Sequence, residues 1–260
     1  MVGRVGDDAA GRVLGTFRAI VRKVASDRGV RIAKWLGDGC MIVAVHQRDA
    51  IEFVIDLTQQ ARDVCAPLTV RAVAGGEKPV IAFERTALFE IRDGGSLQLR
   101  GLVLTGESAP DNPGNSLLRT SRYSMLNDYQ LLVEDCDIRD LDVNHSFNFL
   151  DVSKGTFADR IELRGSTFAG VSGSVLELDK ETDDLGLYNA EYVTIEDSGF
   201  ENIGKALAVL YRGGTDESTF GPHFELSSSR LSDVGNNKRN KSRASVSLLG
   251  VQLAEISNVE

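Results

Sequence analysis

The pattern of apolar and polar positions changes character once along the chain. Up to residue 74 much of it has helical spacing. Val13, Phe17, Ile20, Val21 and Val24 fall on one face and predict an amphipathic helix. Residues 31–36 read as a strand, Gly37-Asp38-Gly39 as a tight turn and residues 40–45 as the returning strand. Asp49 is placed to cap a second helix that carries Ile51, Val54, Ile55 and Leu57, and a further strand is expected at residues 68–73. The stretch Ala72-Val-Ala-Gly75-Gly76-Glu-Lys78-Pro79 is the natural joint. Beyond it come short apolar runs broken by Gly, Asn, Asp and Ser. The expected domains are therefore residues 1–74, a small α/β segment, and residues 78–260.

The second segment repeats. Val133-Glu-Asp-Cys-Asp-Ile138-Arg-Asp-Leu141 aligns with Leu163-Arg-Gly-Ser-Thr-Phe168-Ala-Gly-Val171, Ile195-Glu-Asp-Ser-Gly-Phe200-Glu-Asn-Ile203 and Leu226-Ser-Ser-Ser-Arg-Leu231-Ser-Asp-Val234. The starts lie 30, 32 and 31 residues apart. An earlier copy begins near Leu99 and a partial one near Ile256. Between copies lie second runs at 117–118, 147–150, 175–178, 207–211 and 246–249. Helical solenoids share this period, but their units need longer helical patterns than these. The fold class expected is mainly β: a right-handed parallel β-helix of five to six coils, preceded by the small α/β segment. Each coil buries its apolar side by stacking on its neighbours. The last coil is expected to be cut short at Glu260, leaving a strand edge to be covered.

Composition narrows the class. The chain has 260 residues, 42% hydrophobic and 26% charged, which excludes a wholly disordered polymer. It carries 29 basic and 38 acidic side chains, a net of −9. Residues 1–74 contribute 11 basic and 8 acidic, or +3, so the remainder carries −12. That acidity, with no aromatic platform beside the basic loop Lys238-Arg239-Asn-Lys241-Ser-Arg243, argues against nucleic acid as a partner. No apolar run approaches the ~18 residues of a membrane helix, and the first residues lack the apolar core of an export signal. Cys40, Cys65 and Cys136 are too scattered for a zinc ribbon or a disulfide framework.

At Lys34-Trp-Leu-Gly-Asp38-Gly-Cys-Met the first segment resembles a truncated class III nucleotide cyclase domain. The resemblance implies that Lys34 faces a purine and that Asp38 is one of two metal-binding aspartates. The strand that carries the other aspartate in that family has no counterpart here, nor do the later Asn and Arg. The expectation is an inactive relic, and the alternative is a plain hairpin turn.

The runs Arg119-Thr-Ser-Arg-Tyr123, residues 141–150, residues 178–192 and Tyr211-Arg-Gly-Gly-Thr-Asp-Glu-Ser-Thr-Phe-Gly-Pro-His223 resemble the β-helix polysaccharide lyases of the alginate lyase and chondroitinase B type. The resemblance is nearest to the second β-helix domain of two-domain alginate lyases. It implies an acidic, alginate-like polysaccharide as partner, and an exported or periplasmic protein. If the chain is active, it implies cleavage by β-elimination: Ca²⁺ offsets the uronate carboxylate, a Lys removes the C5 proton and an Arg assists the leaving oxygen. The family pattern places Lys 21 positions before its Arg. Position 191, 21 before Arg212, is Glu, so the pattern is not met in place, which favours a non-catalytic binding domain.

A second arrangement is available. Glu177 and Asp179 flank Leu178, so both carboxylates point outward, about 7 Å apart. Lys180 follows, and Arg212 lies 32 residues on, one coil away. The outer face would join Arg119, Asp151, Glu177, Asp179, Lys180, Tyr211 and Arg212. The candidate roles are Lys180 and Arg212 as catalytic pair and Glu177 and Asp179 as Ca²⁺ ligands. Arg119, Asp151, Tyr211, His223, Lys238 and Arg239 are the candidate contacts to polysaccharide. The alternative is a structural ladder in which these charges pair between coils.

Overall fold

The structure, a computed structural model, describes residues 17–36, 39–62, 68–73, 75–92, 95–120, 126–142, 146–181, 186–213 and 221–260. The chain divides into two units, Met1–Ala66 and Pro67–Glu260. The first contains a helix over residues 17–27 (α1), a hairpin of Arg31–Leu36 (β1) and Gly39–Val43 (β2), and a helix Gln47–Arg62 (α2). Val21, Val24, Ala25, Val30 and Phe53 form its core. Asp49 sits in the first turn of α2 and does not cap it; its own N–H donates to the His46 carbonyl. Arg28 bonds Glu52 and Asp56, tying α1 to α2. Lys34 is exposed on β1, and Asp38 lies outside the described residues.

The second unit is a parallel β-helix with three faces. Sheet 1 stacks Leu68–Arg71 (β3), Leu97–Arg100 (β6), Leu126–Glu134 (β9), Thr156–Arg164 (β12), Ala190–Glu196 (β15), His223–Ser227 (β18) and Leu253–Ser257 (β21). Sheet 2 stacks Val80–Ala82 (β4), Val103–Thr105 (β7), Asp137–Leu141 (β10), Thr167–Val171 (β13), Gly199–Ile203 (β16) and Arg230–Val234 (β19). Sheet 3 stacks Ala87–Ile91 (β5), Ser116–Thr120 (β8), Asn148–Asp151 (β11), Leu176–Leu178 (β14), Ala208–Tyr211 (β17) and Val246–Leu249 (β20). The strand at 68–71, expected in the first segment, is instead the first rung of sheet 1, where Leu68 pairs with Leu97. The joint therefore lies before residue 68, upstream of the glycine pair.

The repeat seen in the sequence is a corner. Val133, Leu163, Ile195 and Leu226 stack in register at the end of the sheet 1 strands; Ile138, Phe168, Phe200 and Leu231 stack in sheet 2. The rings of Phe168 and Phe200 lie 5.0 Å apart and nearly parallel, at 17°. The chain turns between them through a left-handed residue: Asp135, Gly165, Asp197 and Ser228 all have φ near +50°. A second such column, Asp140, Gly170, Asn202 and Asp233, ends the sheet 2 strand. These φ values admit Gly, Asn and Asp at low cost and exclude β-branched residues. That is why polar residues interrupt each apolar run.

Behind the first corner runs a buried hydroxyl ladder. Ser229 Oγ accepts the N–H of Ser198, Ser198 Oγ accepts that of Ser166, and Ser166 Oγ accepts that of Cys136, at 3.1–3.2 Å. Each hydroxyl donates to the carbonyl two residues earlier, at 2.7–2.8 Å. Ser198→Ala would strand the Ser166 N–H in the core and should cost about 2 kcal/mol. By contrast the Tyr129 hydroxyl is fully buried with no hydrogen-bond partner among the described residues. Tyr129→Phe should therefore be neutral or stabilise by about 1 kcal/mol. Urea unfolding of the two variants should move in these different directions.

Candidate functional site

Sheet 3 aligns the charges. Leu118, Leu150 and Leu176 are buried and in register, so Arg119, Asp151 and Glu177, which follow them, share the outer face in successive coils. Glu90 on β5 is the register partner of Arg119 and heads the row. Arg119 donates to Glu90 from Nε at 2.8 Å and approaches it with its other nitrogen at 2.7 Å. Arg92 bonds the same carboxylate at 2.5 Å. The Arg92 hydrogen bond, opposed by burial and reinforced by Arg119, holds the Glu90 carboxyl below the usual range. A cleft of about 320 Å³ opens beside this pair, lined also by Thr86, Pro113 and Thr120.

Two coils further on, Leu178 is buried while Glu177 and Asp179 lie half-buried on either side of it. Lys180 Nζ stands 2.7 Å from Glu177 Oε1 and 3.6 Å from Asp179 Oδ1, and Lys205 lies 4.0 Å from the other Glu177 oxygen. The Lys180 backbone is pinned as well. Its N–H donates to Asn189 Oδ1 at 2.9 Å, and the buried Asn189 amide donates to the Thr156 carbonyl. Burial pulls the Lys180 ammonium toward losing its proton. The hydrogen bond that Lys180 donates to Glu177, together with the charges of Glu177, Asp179 and Asp151, outweighs that and leaves its pKa above the ordinary lysine value. Burial pushes Glu177 up, but Lys180 and Lys205 bring it below the usual carboxylate range. A lysine in this setting stays protonated at neutral pH, the wrong state for a general base. The two carboxylates answer an ammonium, and a Ca²⁺ ion at the pair would have to displace it. Among the described residues no group of three or more His, Cys, Asp or Glu side chains is placed to hold a metal ion.

Leu178 pairs with Leu210, so Lys180 and Arg212, each two residues on, leave the same edge of sheet 3 in consecutive coils. Tyr211, in register with Leu249, lies half-buried beside Arg212. His223 does not join this row. It begins β18 on sheet 1, where its ring meets Tyr192. Lys238 and Arg239 lie at another corner, in the loop between β19 and β20. The buried Asn240 organises that loop by donating to the carbonyls of Gly235 and Ala244 at 3.0 Å, and it leaves Lys238, Arg239, Lys241 and Arg243 exposed. The residues expected to contact polysaccharide therefore occupy three places on the solenoid.

The solenoid is similar to an alginate lyase. The solved structure of the PL6 family alginate lyase AlyGC superposes with a TM-score of 0.72 and 44% sequence identity, over 74% of this chain and 26% of the lyase. A mutant of the same lyase gives 0.71 with the same identity and coverage. The chain thus spans about a quarter of the length of the lyase it matches. No protein-family model and no curated protein matches the chain.

The spacing of coils finds Arg119, Asp151 and Glu177, and a 29-residue step back from Arg119 would have reached Glu90. Lys205 and Asn189 carry no such signal, because each reaches the row across a corner. Replacing Glu177 by Gln leaves Lys180 without its nearest counter-charge and should cost about 2 kcal/mol near neutral pH. Because the folded Glu177 pKa is depressed, the parent's advantage is full above the ordinary carboxylate value. It should vanish as pH falls through the lower folded value, so thermal midpoints of the two chains should converge in acid.

Proposed function

We propose that the β-helix binds acidic, uronate-containing polysaccharide of the alginate kind, as a module of alginate-lyase type that does not use Lys180 as a catalytic base. The similarity to the alginate lyase carries this reading. The exposed cationic loop around Asn240 suits it, since four cations in six residues attract a polyanion to a unit that is otherwise acidic. The Lys180–Glu177 pair favours binding over elimination, because a uronate C5 proton needs an unprotonated base within reach.

The test is retardation of the whole chain in an alginate-containing gel, alongside near-ultraviolet absorbance, which unsaturated uronates would raise. Retardation is expected. It should weaken severalfold in a chain carrying both Lys238→Ala and Arg239→Ala, fade with added salt and survive chelation with EDTA. Migration unaffected by alginate would overturn the binding reading. Absorbance that rises in the parent chain and not in Lys180→Ala would show the alternative, catalysis through Lys180.

A further inference from the structure

Arg160, Tyr192 and His223 occupy one outward column of sheet 1, in three consecutive coils: Arg160 is the register partner of Tyr192, and Tyr192 of His223. The Arg160 guanidinium carbon lies 5.2 Å from the centre of the Tyr192 ring. On the next coil the His223 ring centre is 5.0 Å from that of Tyr192, tilted by 45°. The Arg160 guanidinium thus lies over the Tyr192 ring and the His223 ring packs against it at a tilt, in one outward column. Their polar atoms are little used within the chain. Among the described residues the Tyr192 hydroxyl and the His223 ring nitrogens have no hydrogen-bond partner. Arg160 has a 3.6 Å ion pair with Glu162, whose nearer cation is Arg164 at 2.7 Å. Other outward rows of the solenoid are closed by their own charges, as in Arg100–Glu134 at 2.5 Å and Arg164–Glu196 at 3.1 Å.

We infer that the Arg160–Tyr192–His223 column is a binding row for a uronate chain running along the solenoid axis. The guanidinium takes a sugar carboxylate, and the Tyr192 hydroxyl and the His223 ring bond hydroxyl groups of the next sugar. Three rungs span two strand spacings, about 9.6 Å, enough for a pair of hexuronate rings. Stacking fixes the donors before the ligand arrives, which lowers the ordering cost of binding. The corner just outside the row adds Tyr188, packed edge-on against Phe157 at 5.3 Å. The row belongs to a different face from the Glu177–Lys180 pair, and from the loop at Lys238. The inference rests on the reading that this unit binds uronate polymers, and it assigns that binding to a place.

Calorimetric titration of the whole chain with alginate oligosaccharides tests it, with dextran as the neutral comparison. Tyr192→Phe keeps the stacked ring and removes one hydroxyl. It should weaken binding about fivefold, the loss of one ordinary hydrogen bond. Arg160→Gln on the exposed surface should weaken it tenfold or more, as expected for a charge-assisted contact, and should flatten its salt dependence. Arg164→Gln, on the same strand but facing the neighbouring ion-pair row, should bind like the parent. Parent affinity in both Tyr192→Phe and Arg160→Gln would overturn the row while leaving the binding function standing. Absence of any titration by the parent would overturn both, and dextran binding equal to alginate would remove the role of Arg160.

Discussion

The backbone hydrogen bonds that run from coil to coil govern the rest of this molecule. In each sheet the N–H and C=O groups of one strand are spent on its parallel neighbours, so successive coils cannot slide without breaking a whole row of bonds. Parallel, in-register stacking then places like positions above like. Inside, this yields columns of Leu, Ile, Val and Phe and the serine ladder. Outside, it yields rows in which a charge stands one strand spacing from the side chain at the same position of the next coil, as Arg119 does from Glu90.

That constraint sorts the surface. Where a row alternates in sign, as in Glu90–Arg119 or Arg164–Glu196, the charges consume one another and hold the register. Lys180 is spent within its own coil: Glu177 and Asp179 hold its ammonium, and Asn189 accepts its backbone N–H. Among the described residues, two features stand apart from these pairs. One is the cationic loop, lifted off the sheets by Asn240. The other is the Arg160–Tyr192–His223 column, whose rings and guanidinium pack on one another from coil to coil. Glu90 and Arg119 on sheet 3 thus pair between coils, as a structural ladder requires, while the proposed binding row lies on sheet 1.

Most of the solenoid was legible in the chain because its period is written in buried residues. The positions of Val133, Ile138 and Leu141 and their copies mark columns that admit little but apolar side chains. The division into three faces was harder to read. The bend at Asp135 or Gly165 depends on backbone angle, and Asp, Gly and Ser signal many kinds of turn. The boundary at residue 68 was obscured because β3 is exposed and lacks the polar corner that marks later copies. The charged row on sheet 3 followed from counting coils. The contact between Tyr192 and Arg160 follows from the same count, but an isolated Tyr and Arg on an exposed strand give no reason to count from them. His223, a candidate contact in the sequence, stands on sheet 1 and so on a different face from Tyr211.

The repeated left-handed corner has a further consequence. Asp135, Gly165, Asp197 and Ser228 hold nearly the same φ, so this corner turns the chain alike in four successive coils. Whole coils of about 30 residues are then interchangeable lengths of one cylinder. Inserting or removing one would translate the outer rows along the axis by a single strand spacing, so the solenoid works as a ruler whose graduations can be added singly.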